Sequence, residues 1–381
     1  MVALSLVLLL TSSFPASSQG SSSTGQLAGW TPTTSAPQEG AGQLCVPYLV
    51  DIYCVSGNLT YFAPISSSGI GQWTNSTPYP GKASSCVADS GYIYCISHGD
   101  PYATTWPTYY AALSEQGIGN WTESTPAPTP ATPCVSSSGY IYCIGAGLEG
   151  FYAPISNSGV GSWKMEHTVQ PPDTSTCTAT SGDIYCIGAE HYVTLSNSTY
   201  YASLSSDGMG NATKTTDYPF AVASEPCAVY GGFVYCVAGH TGLAPYDVSG
   251  DDTSAVYFAP VSGSGIGAWK QTASYPVVGY GVSCVASSGY LYCLGGRNTG
   301  GEPLNDAYFS EITNSTPTNT NTGTNTGPTS TSPASSASGS ANSTTIYELT
   351  GVAAVIIVAV LVFAFLRRRP PVSSRRNEAH N

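Results

Sequence analysis

Six cysteine pairs with a single spacing constrain the fold of this chain more than any other sequence feature. All twelve cysteines occur as C-x8-C, and the pairs recur at intervals of about 40 to 60 residues. Folded about a two-residue turn, the segment Cys86–Cys95 places Val87 opposite Tyr94 and the two cysteines opposite each other. At a non-hydrogen-bonded pair the Cα atoms approach to about 4.5 Å, which is within disulfide reach. We therefore predict six hairpin disulfides: Cys45–Cys54, Cys86–Cys95, Cys134–Cys143, Cys177–Cys186, Cys227–Cys236 and Cys284–Cys293.

The sequence between the cysteine pairs repeats as well. Each hairpin ends in "YCIG" or a variant, and a loop of variable length follows. Next come a tyrosine-rich strand such as "YFAPIS" (61–66), a tight "SSSGIG" turn and a last strand that opens with Trp in four copies. Four short strands per unit, at a period typical of propeller blades, predict an all-β, six-bladed β-propeller over residues 26–312.

This order of elements resembles kelch-type β-propellers, in which a strand ending near Gly-Gly precedes a tyrosine strand and a tryptophan strand. The resemblance covers about residues 30–312. Only the sixth copy has the full pair Gly295-Gly296, the fourth copy has Ala212 in place of Trp, and the cysteines are additional to the kelch pattern. The resemblance implies the fold, but it carries no function because propellers serve many unrelated functions.

The segment around Trp30 has the spacing of a last strand without its own preceding unit. Trp30 precedes Cys45 by the same interval that separates Trp269 from Cys284 in an interior copy. The sixth copy reaches "AYFSEITNST" without supplying a Trp strand. We therefore expect the Trp30 strand to pair beside Tyr308–Ile312 and close the ring of blade six. The alternative is a floppy N-terminal segment with a chance Trp.

The sequence outside the propeller predicts export and membrane anchoring. Residues 1–18 are typical of a signal peptide, and residues 313–345 form a stalk rich in Ser, Thr, Asn and Pro. Residues 349–366 are uncharged and long enough for a transmembrane helix. The basic tail 367–381 then lies in the cytoplasm by the positive-inside rule. This interpretation predicts a single-pass cell-membrane protein whose N-terminal ectodomain faces outwards.

Charge and sequons narrow the partners of the predicted ectodomain. Residues 1–345 contain 20 acidic and five basic residues, which excludes nucleic-acid binding. Seven Asn-x-Ser/Thr sequons predict glycosylation in an exported protein. They are Asn58, Asn75, Asn120, Asn197, Asn211, Asn314 and Asn342.

The loops after "YCIG" vary greatly in length, and variable loops on a rigid scaffold are where binding usually occurs. Their aromatic, acidic and amide side chains suit sugars or protein partners. For Tyr102 and Trp106 the alternative is packing of the loop onto the propeller. The candidate ligand-binding residues are His98, Asp100, Tyr102 and Trp106 in copy two, His240, Tyr246, Asp247, Asp251 and Asp252 in copy five, and Arg297, Asn298, Glu302, Asn305 and Asp306 in copy six.

The sequence offers no defined catalytic or metal motif. The five histidines have no metal-ligand spacing, and no nucleophile elbow or phosphate loop is present. We therefore predict no catalytic residues, no metal site and no cofactor. Asp247, Asp251 and Asp252 could instead hold Ca²⁺ with loop carbonyls, and a solvated acidic loop is the alternative for these residues.

These patterns together predict a cell-surface binding or adhesion protein whose variable loops recognise an extracellular glycan or a surface protein. One alternative is a structural component of a cell envelope that packs against copies of itself. The other is an extracellular carbohydrate-active enzyme, whose active site would be assembled from dispersed loops. The oligomeric state is left open by the sequence.

Overall fold

A computed structural model describes residues 24–99, 105–145, 150–166, 176–191, 194–242 and 251–313. All regular elements within these ranges are β-strands. In chain order the strands are β1 (Gln26–Leu27), β2 (Thr31–Pro32), β3 (Leu44–Tyr48), β4 (Asp51–Ser56), β5 (Leu59–Ser66), β6 (Gly69–Ile70), β7 (Thr74–Asn75), β8 (Ala83–Asp89), β9 (Tyr92–Ser97), β10 (Trp106–Ser114), β11 (Gly117–Ile118), β12 (Thr122–Ala127), β13 (Ala131–Ser137), β14 (Tyr140–Gly145), β15 (Gly150–Ser156), β16 (Gly159–Val160), β17 (Lys164–Met165), β18 (Thr176–Ala179), β19 (Asp183–His191), β20 (Thr194–Ser205), β21 (Gly208–Met209), β22 (Thr213–Lys214), β23 (Cys227–Tyr230), β24 (Phe233–His240), β25 (Asp252–Ser262), β26 (Gly265–Ile266), β27 (Lys270–Gln271), β28 (Gly279–Tyr280), β29 (Ser283–Ser287), β30 (Tyr290–Leu294), β31 (Arg297–Asn298) and β32 (Ala307–Thr313).

These strands form a β-propeller of five five-stranded sheets and one seven-stranded sheet. We name each sheet by its inner strand. In the β3 sheet, β3 pairs with β4, β4 pairs with β5, and β5 carries both short outer strands β6 and β7. The β23 sheet has the same core and continues through β28 to β31. All pairings are antiparallel, so tight turns join successive strands.

The prediction of a six-bladed propeller with four strands per blade, followed by a transmembrane helix, is wrong. Five sheets have five strands, the β23 sheet has seven, and the described ranges contain no helix. The outer strand of each sheet is divided into two short strands, including the copy that has Ala212 in place of Trp. Trp73, between β6 and β7, donates from Nε1 to the Thr34 carbonyl at 3.2 Å.

The predicted single-pass membrane location also has to be corrected. Across the described ranges, no helix has the length and apolar character needed to cross a membrane. The predicted signal peptide (1–18), transmembrane helix (349–366) and cytoplasmic tail (367–381) lie outside the described residues, as does the predicted stalk beyond residue 313.

The six predicted disulfides are confirmed, and the hairpin geometry explains them. Cys86 lies directly opposite Cys95, and Val87 lies opposite Tyr94. The paired Cα atoms are 4.1–4.2 Å apart in all six hairpins. Ser90 and Gly91 both have positive φ, of 47° and 85°, as a type I′ turn requires. At the corresponding tip of the β3 hairpin, Leu49 is 69% exposed and has a φ of 52°.

Neighbouring sheets pack face to face through buried apolar clusters. Between the β3 and β8 sheets, for example, Val46 and Tyr53 pack with Ile93 and Leu113. Tyrosine hydroxyls from the second strand of each sheet add hydrogen bonds across five of these interfaces. They donate from Tyr53 to Ser114, Tyr94 to Ser156, Tyr142 to Ser205, Tyr185 to Ser262 and Tyr292 to Ser66, each to the backbone carbonyl.

Tryptophans at the outer rim form a second set of links between sheets. Each indole Nε1 donates to a backbone carbonyl of the preceding sheet or of the segment beside it. The pairs are Trp30 to Ala273, Trp73 to Thr34, Trp121 to Thr77, Trp163 to Thr125 and Trp269 to Thr216. These indoles are therefore structural, since their polar atoms are used within the propeller.

The two ends of the propeller sequence meet in one sheet. The short strands β1 and β2 both pair with β32, so the segment around Trp30 lies beside the last strand. The hydroxyl of Thr313 donates to the Gln26 carbonyl at 3.1 Å. The inner strand β29 of this sheet also contacts β3. This pairing covers the open edge that β32 would otherwise present.

Candidate functional site

The central channel is lined by the inner strands and offers no group for acid–base chemistry. It encloses a cavity of about 320 Å³. Its lining consists of the first cysteine of each disulfide together with Val, Ala, Pro, Ser and Thr side chains. The described lining therefore contains no charged side chain. The candidate residues named from the sequence lie instead in the loops that follow the second strand of each hairpin.

The second-copy candidates lie in the β8 sheet and its adjoining loop. Trp106 begins β10 and is only 9% exposed, because it packs in a buried cluster with Tyr94 and Ala127. Its ring therefore has little free surface for a ligand. His98 is exposed just after β9, whereas Asp100 and Tyr102 lie outside the described residues.

The seven-stranded sheet brings candidates from the fifth and sixth copies together. Strand β25 begins at Asp252 and pairs with β28 through Thr253 and Gly279. Strand β28 in turn pairs with β31, and Tyr280 lies opposite Arg297. Both β28 and β31 come from the segments that flank the β29 hairpin. The loop residues of two neighbouring copies therefore share one continuous backbone ladder.

Four side chains along this ladder form a polar row, which we define as Asp252, His240, Tyr280 and Arg297. His240 and Asp252 are cross-strand partners, as are Tyr280 and Arg297. Directly opposite residues of an antiparallel pair project from the same face of the sheet. The His240 and Tyr280 rings are in edge-to-face contact, with centroids 5.8 Å apart. An imidazole, an acid, a phenol and a guanidinium thus lie on four successive strands of the sheet.

His240 and Asp252 form the most buried polar contact of the row. Nδ1 of His240 lies 2.7 Å from Oδ1 of Asp252, and their side chains are 18% and 3% exposed. The carboxylate accepts the Nδ1 proton, which fixes the imidazole orientation and leaves Nε2 as the second polar atom of the ring. The pair is an ion pair when the imidazole is protonated.

A β-bulge aims the end of β24 toward this row. The register shifts between Val237 and Gly239, and the fully buried Ala238 has a φ of 55°. A left-handed conformation is costly for a residue with a Cβ, and such strain is concentrated at functional sites. The bulge allows His240 to pair with Ala223 as well as with Asp252.

The segment after β31 is ordered by its own hydrogen bonds. Arg297 donates from Nη1 to the Gly301 carbonyl at 2.6 Å. Asn298 donates from Nδ2 to Glu302 Oε2 at 3.1 Å and accepts the Glu302 amide through Oδ1. Asn305 offers its carbonyl to the Ala36 amide, and the Asp306 carbonyl accepts the Gly295 amide. These contacts hold Arg297 in a defined position, while Glu302 is exposed beside Asn298.

Of the remaining fifth-copy candidates, Asp251 lies within the described residues, whereas Tyr246 and Asp247 do not. Asp251 is exposed, and its carbonyl accepts both the amide and the hydroxyl of Thr241. Tyr246 and Asp247 lie outside the described residues. No group of three potential metal ligands occurs within the described ranges. The Ca²⁺ site suggested for this loop therefore stays a prediction.

Two residues of this region were missed by sequence reasoning. Tyr280 lies in the blade connection, and no local pattern distinguishes it from other tyrosines. Glu225 is 1% exposed beneath the same loops. Burial raises the pKa of the neighbouring Tyr218 well above its usual value, and the Glu225 carboxylate adds to this shift. Their placement depends on contacts between sheets, which the sequence pattern does not show.

The described sequons lie away from the polar row in the chain. Asn58, Asn75, Asn120 and Asn211 are exposed on the β3, β8 and β18 sheets or their turns. Asn197 is partly buried, and its Nδ2 donates to the Tyr218 carbonyl at 3.0 Å. Asn314 and Asn342 lie outside the described residues. The β23 and β29 sheets carry no sequon within the described ranges.

Comparison with known proteins supports the fold class alone. No protein-family model and no curated protein sequence matches this chain. A solved structure entitled "Structure of YjhT" superposes with a TM-score of 0.55 at 11% identity, covering 72% of this chain and 95% of that chain. The chain is thus similar to that protein in fold, and both the sheets and this likeness define a β-propeller. The kelch repeat is not identified by these comparisons.

Proposed function

We propose that this protein is a binding protein that recognises a glycan or a protein through the loop end of its seven-stranded sheet. The observation that carries this proposal is the continuous ladder β25–β28–β31, which assembles the polar row from two copies of the repeat. A preformed patch of aromatic, imidazole and guanidinium groups is suited to recognition. Six disulfides are typical of proteins in oxidising surroundings, where such ligands occur.

Two further observations favour binding at this place. The described channel lining contains no acidic, basic or histidine side chain that could activate its Ser and Thr hydroxyls, which disfavours chemistry in the channel. The exposed sequons lie on other sheets, so attached glycans would leave the loop end of the β23 sheet accessible. Both alternatives, an envelope component and a carbohydrate-active enzyme, lack an equivalent observation.

The test is to place a glycan beside the polar row. Asp251→Asn creates an Asn-x-Thr sequon with Thr253 at an exposed position, without changing the backbone contacts of Asp251. The full chain, made in a host that attaches N-glycans, is applied to a panel of glycans and cell-surface proteins. We expect the glycosylated Asp251→Asn protein to lose binding to any ligand that the unmodified chain binds. Mass spectrometry confirms that the glycan is attached.

Two matched variants control this experiment. Asp251→Gln removes the same charge without a sequon and should retain binding. Asn58→Gln removes a native sequon on the β3 sheet and should also leave binding unchanged. Undiminished binding by glycosylated Asp251→Asn would refute the proposed location. Absence of any ligand together with self-assembly would favour the envelope component, and turnover of a glycan would favour the enzyme.

A further inference from the structure

We propose that the polar row binds a sugar bearing an anionic group, either a carboxylate or a sulfate, with Arg297 as the anion contact. This inference rests on the proposed function, because it names the ligand class of the same surface. It follows from the unusual position of one arginine in an acidic chain.

Arg297 is the first arginine in the sequence, and the other five all lie beyond residue 366. The chain has a net charge of −12, yet Arg297 forms no ion pair with a carboxylate in the described ranges. Arg297 is half-buried, and among the described residues its guanidinium donates one hydrogen bond, to the Gly301 carbonyl. A guanidinium has five N–H donors in a planar fork, so donors remain for a two-point contact with an anion.

The neighbours of Arg297 suit a sugar ring better than a bare ion. Tyr280 lies directly opposite Arg297 and offers an aromatic ring against which the C–H face of a sugar can pack. The ring of His240 contacts Tyr280, and its Nδ1 is engaged by Asp252. Its Nε2 can accept a hydrogen bond from a sugar hydroxyl. The order of groups therefore matches an anionic substituent, a ring and a hydroxyl.

Two acidic side chains, one in the row and one beside it, are already engaged by other groups. The carboxylate of Asp252 is buried and engaged with His240. The exposed Glu302 is hydrogen-bonded to the Asn298 amide at 3.1 Å. Arg297 is consequently the positive end of the row, and contact with a fork-shaped anion would satisfy its free donors.

The experiment compares matched sugars on the full chain by calorimetry. The probes are a disaccharide with a terminal glucose, the same disaccharide with glucuronate in place of that glucose, and the glucose disaccharide sulfated at position 6 of the terminal sugar. We expect the charged probes to bind at least about tenfold more tightly than the neutral one, since a charge-assisted contact is added. Preference between carboxylate and sulfate then identifies the anion, and added salt should weaken both.

Variants locate the anion contact. Arg297→Lys keeps the charge but loses the fork, and Arg297→Gln loses both, so affinity for the charged probe should fall in that order, by about 10- to 100-fold for glutamine. Lys270→Gln removes one positive charge from an exposed position on β27 and should have no effect. Circular dichroism and thermal unfolding confirm that each variant is folded.

The outcomes separate this inference from the proposed function. If neutral and charged sugars bind equally and the Arg297 variants change nothing, the anion contact is refuted. The proposed binding site nevertheless stands if the glycan introduced by Asp251→Asn still blocks that binding. If neither the probes nor any panel ligand is affected by Asp251→Asn, both the site and its ligand class are wrong.

Discussion

The tyrosine hydroxyls that join neighbouring sheets give a prediction with a control inside the same molecule. Tyr142, just before the second cysteine of its hairpin, donates to the Ser205 carbonyl at 2.8 Å. Tyr235 occupies the equivalent position in β24 and is fully buried, but its hydroxyl has no partner among the described residues. Thr313 ends β32 as Ser205 ends β20, so its carbonyl is the corresponding acceptor in the next sheet. That carbonyl accepts a hydrogen bond from the Thr24 hydroxyl instead of from Tyr235. The two tyrosines thus differ by one hydrogen bond.

Replacing each tyrosine with phenylalanine should have opposite effects on the free energy of unfolding. Tyr142→Phe removes a hydrogen bond between sheets, whose net contribution is about 1 kcal/mol. Tyr235→Phe removes a buried hydroxyl without a partner, and burying such a group costs about 1–3 kcal/mol. We therefore expect Tyr142→Phe to destabilise the propeller and Tyr235→Phe to leave it equally or more stable. The two variants should differ by about 1–4 kcal/mol in unfolding free energy.

Denaturant unfolding with intact disulfides measures this difference. The shift in midpoint multiplied by the slope m gives the stability change, provided that m is the same for all variants. Tyr94→Phe and Tyr292→Phe remove the equivalent hydrogen bonds at other interfaces and should reproduce the loss seen for Tyr142→Phe. Equal destabilisation by Tyr142→Phe and Tyr235→Phe would refute the reasoning, since it would show that the ring position alone determines the cost.

Three further predictions concern stability. Burial raises the pKa of Tyr142 and Tyr292 to about 12, whereas an unfolded tyrosine titrates near 10. The stability that these tyrosines contribute is therefore complete below pH 10 and is lost as the pH rises to 12. Tyrosinate absorbance and unfolding should appear together, and absorbance that rises before unfolding would contradict this prediction. Replacing Cys86 and Cys95 by alanine opens a short loop and should cost about 2–3 kcal/mol in thermal unfolding, with no loss implying that the disulfide does not restrict the unfolded chain. Leu49→Asn should stabilise the exposed β3 hairpin by about 1 kcal/mol in denaturant, because asparagine tolerates positive φ; a loss would indicate that the leucine packs in solution.

Local geometry made the hairpins predictable from the sequence. Once C-x8-C is folded about a two-residue turn, period-two alternation determines which residues face each other, and the register from Cys86 to Cys95 follows. The pairing of the Trp30 segment with β32 has a similar basis, because the distance from Trp to the next cysteine reflects a constant path between sheets. Both inferences depend on short stretches of chain or on a repeated length.

The composition of the site depends on contacts that no local pattern encodes. The pairing of Thr253 with Gly279 and of Tyr280 with Arg297 joins segments from two copies of the repeat. The sequence predicted that these loops carry candidate residues, but it did not predict that they pair in one sheet. Trp106 has the sequence features of an exposed loop aromatic, yet it packs beside Tyr94 in the core. An isolated aromatic residue in a variable loop does not show whether it faces solvent or the neighbouring sheet.

The extra strands occur at the interface that lacks, within the described ranges, a tyrosine hydrogen bond between sheets. Where the Tyr235 hydroxyl lacks a partner among the described residues, β28 and β31 extend the β23 sheet with chain that flanks the β29 hairpin. A backbone ladder thus joins the two sheets whose tyrosine hydrogen bond is missing.

Because the polar row lies on this ladder, a ligand that bridges His240 and Arg297 would also strengthen the interface between the two sheets. Its binding should therefore slow amide hydrogen exchange in β28 and β31 more than in the β3 sheet, which the ligand does not contact. Exchange measured by mass spectrometry with and without the ligand checks this expectation. Equal slowing in both sheets would mean that binding stabilises the whole propeller, and the ladder would then have no separate part in recognition.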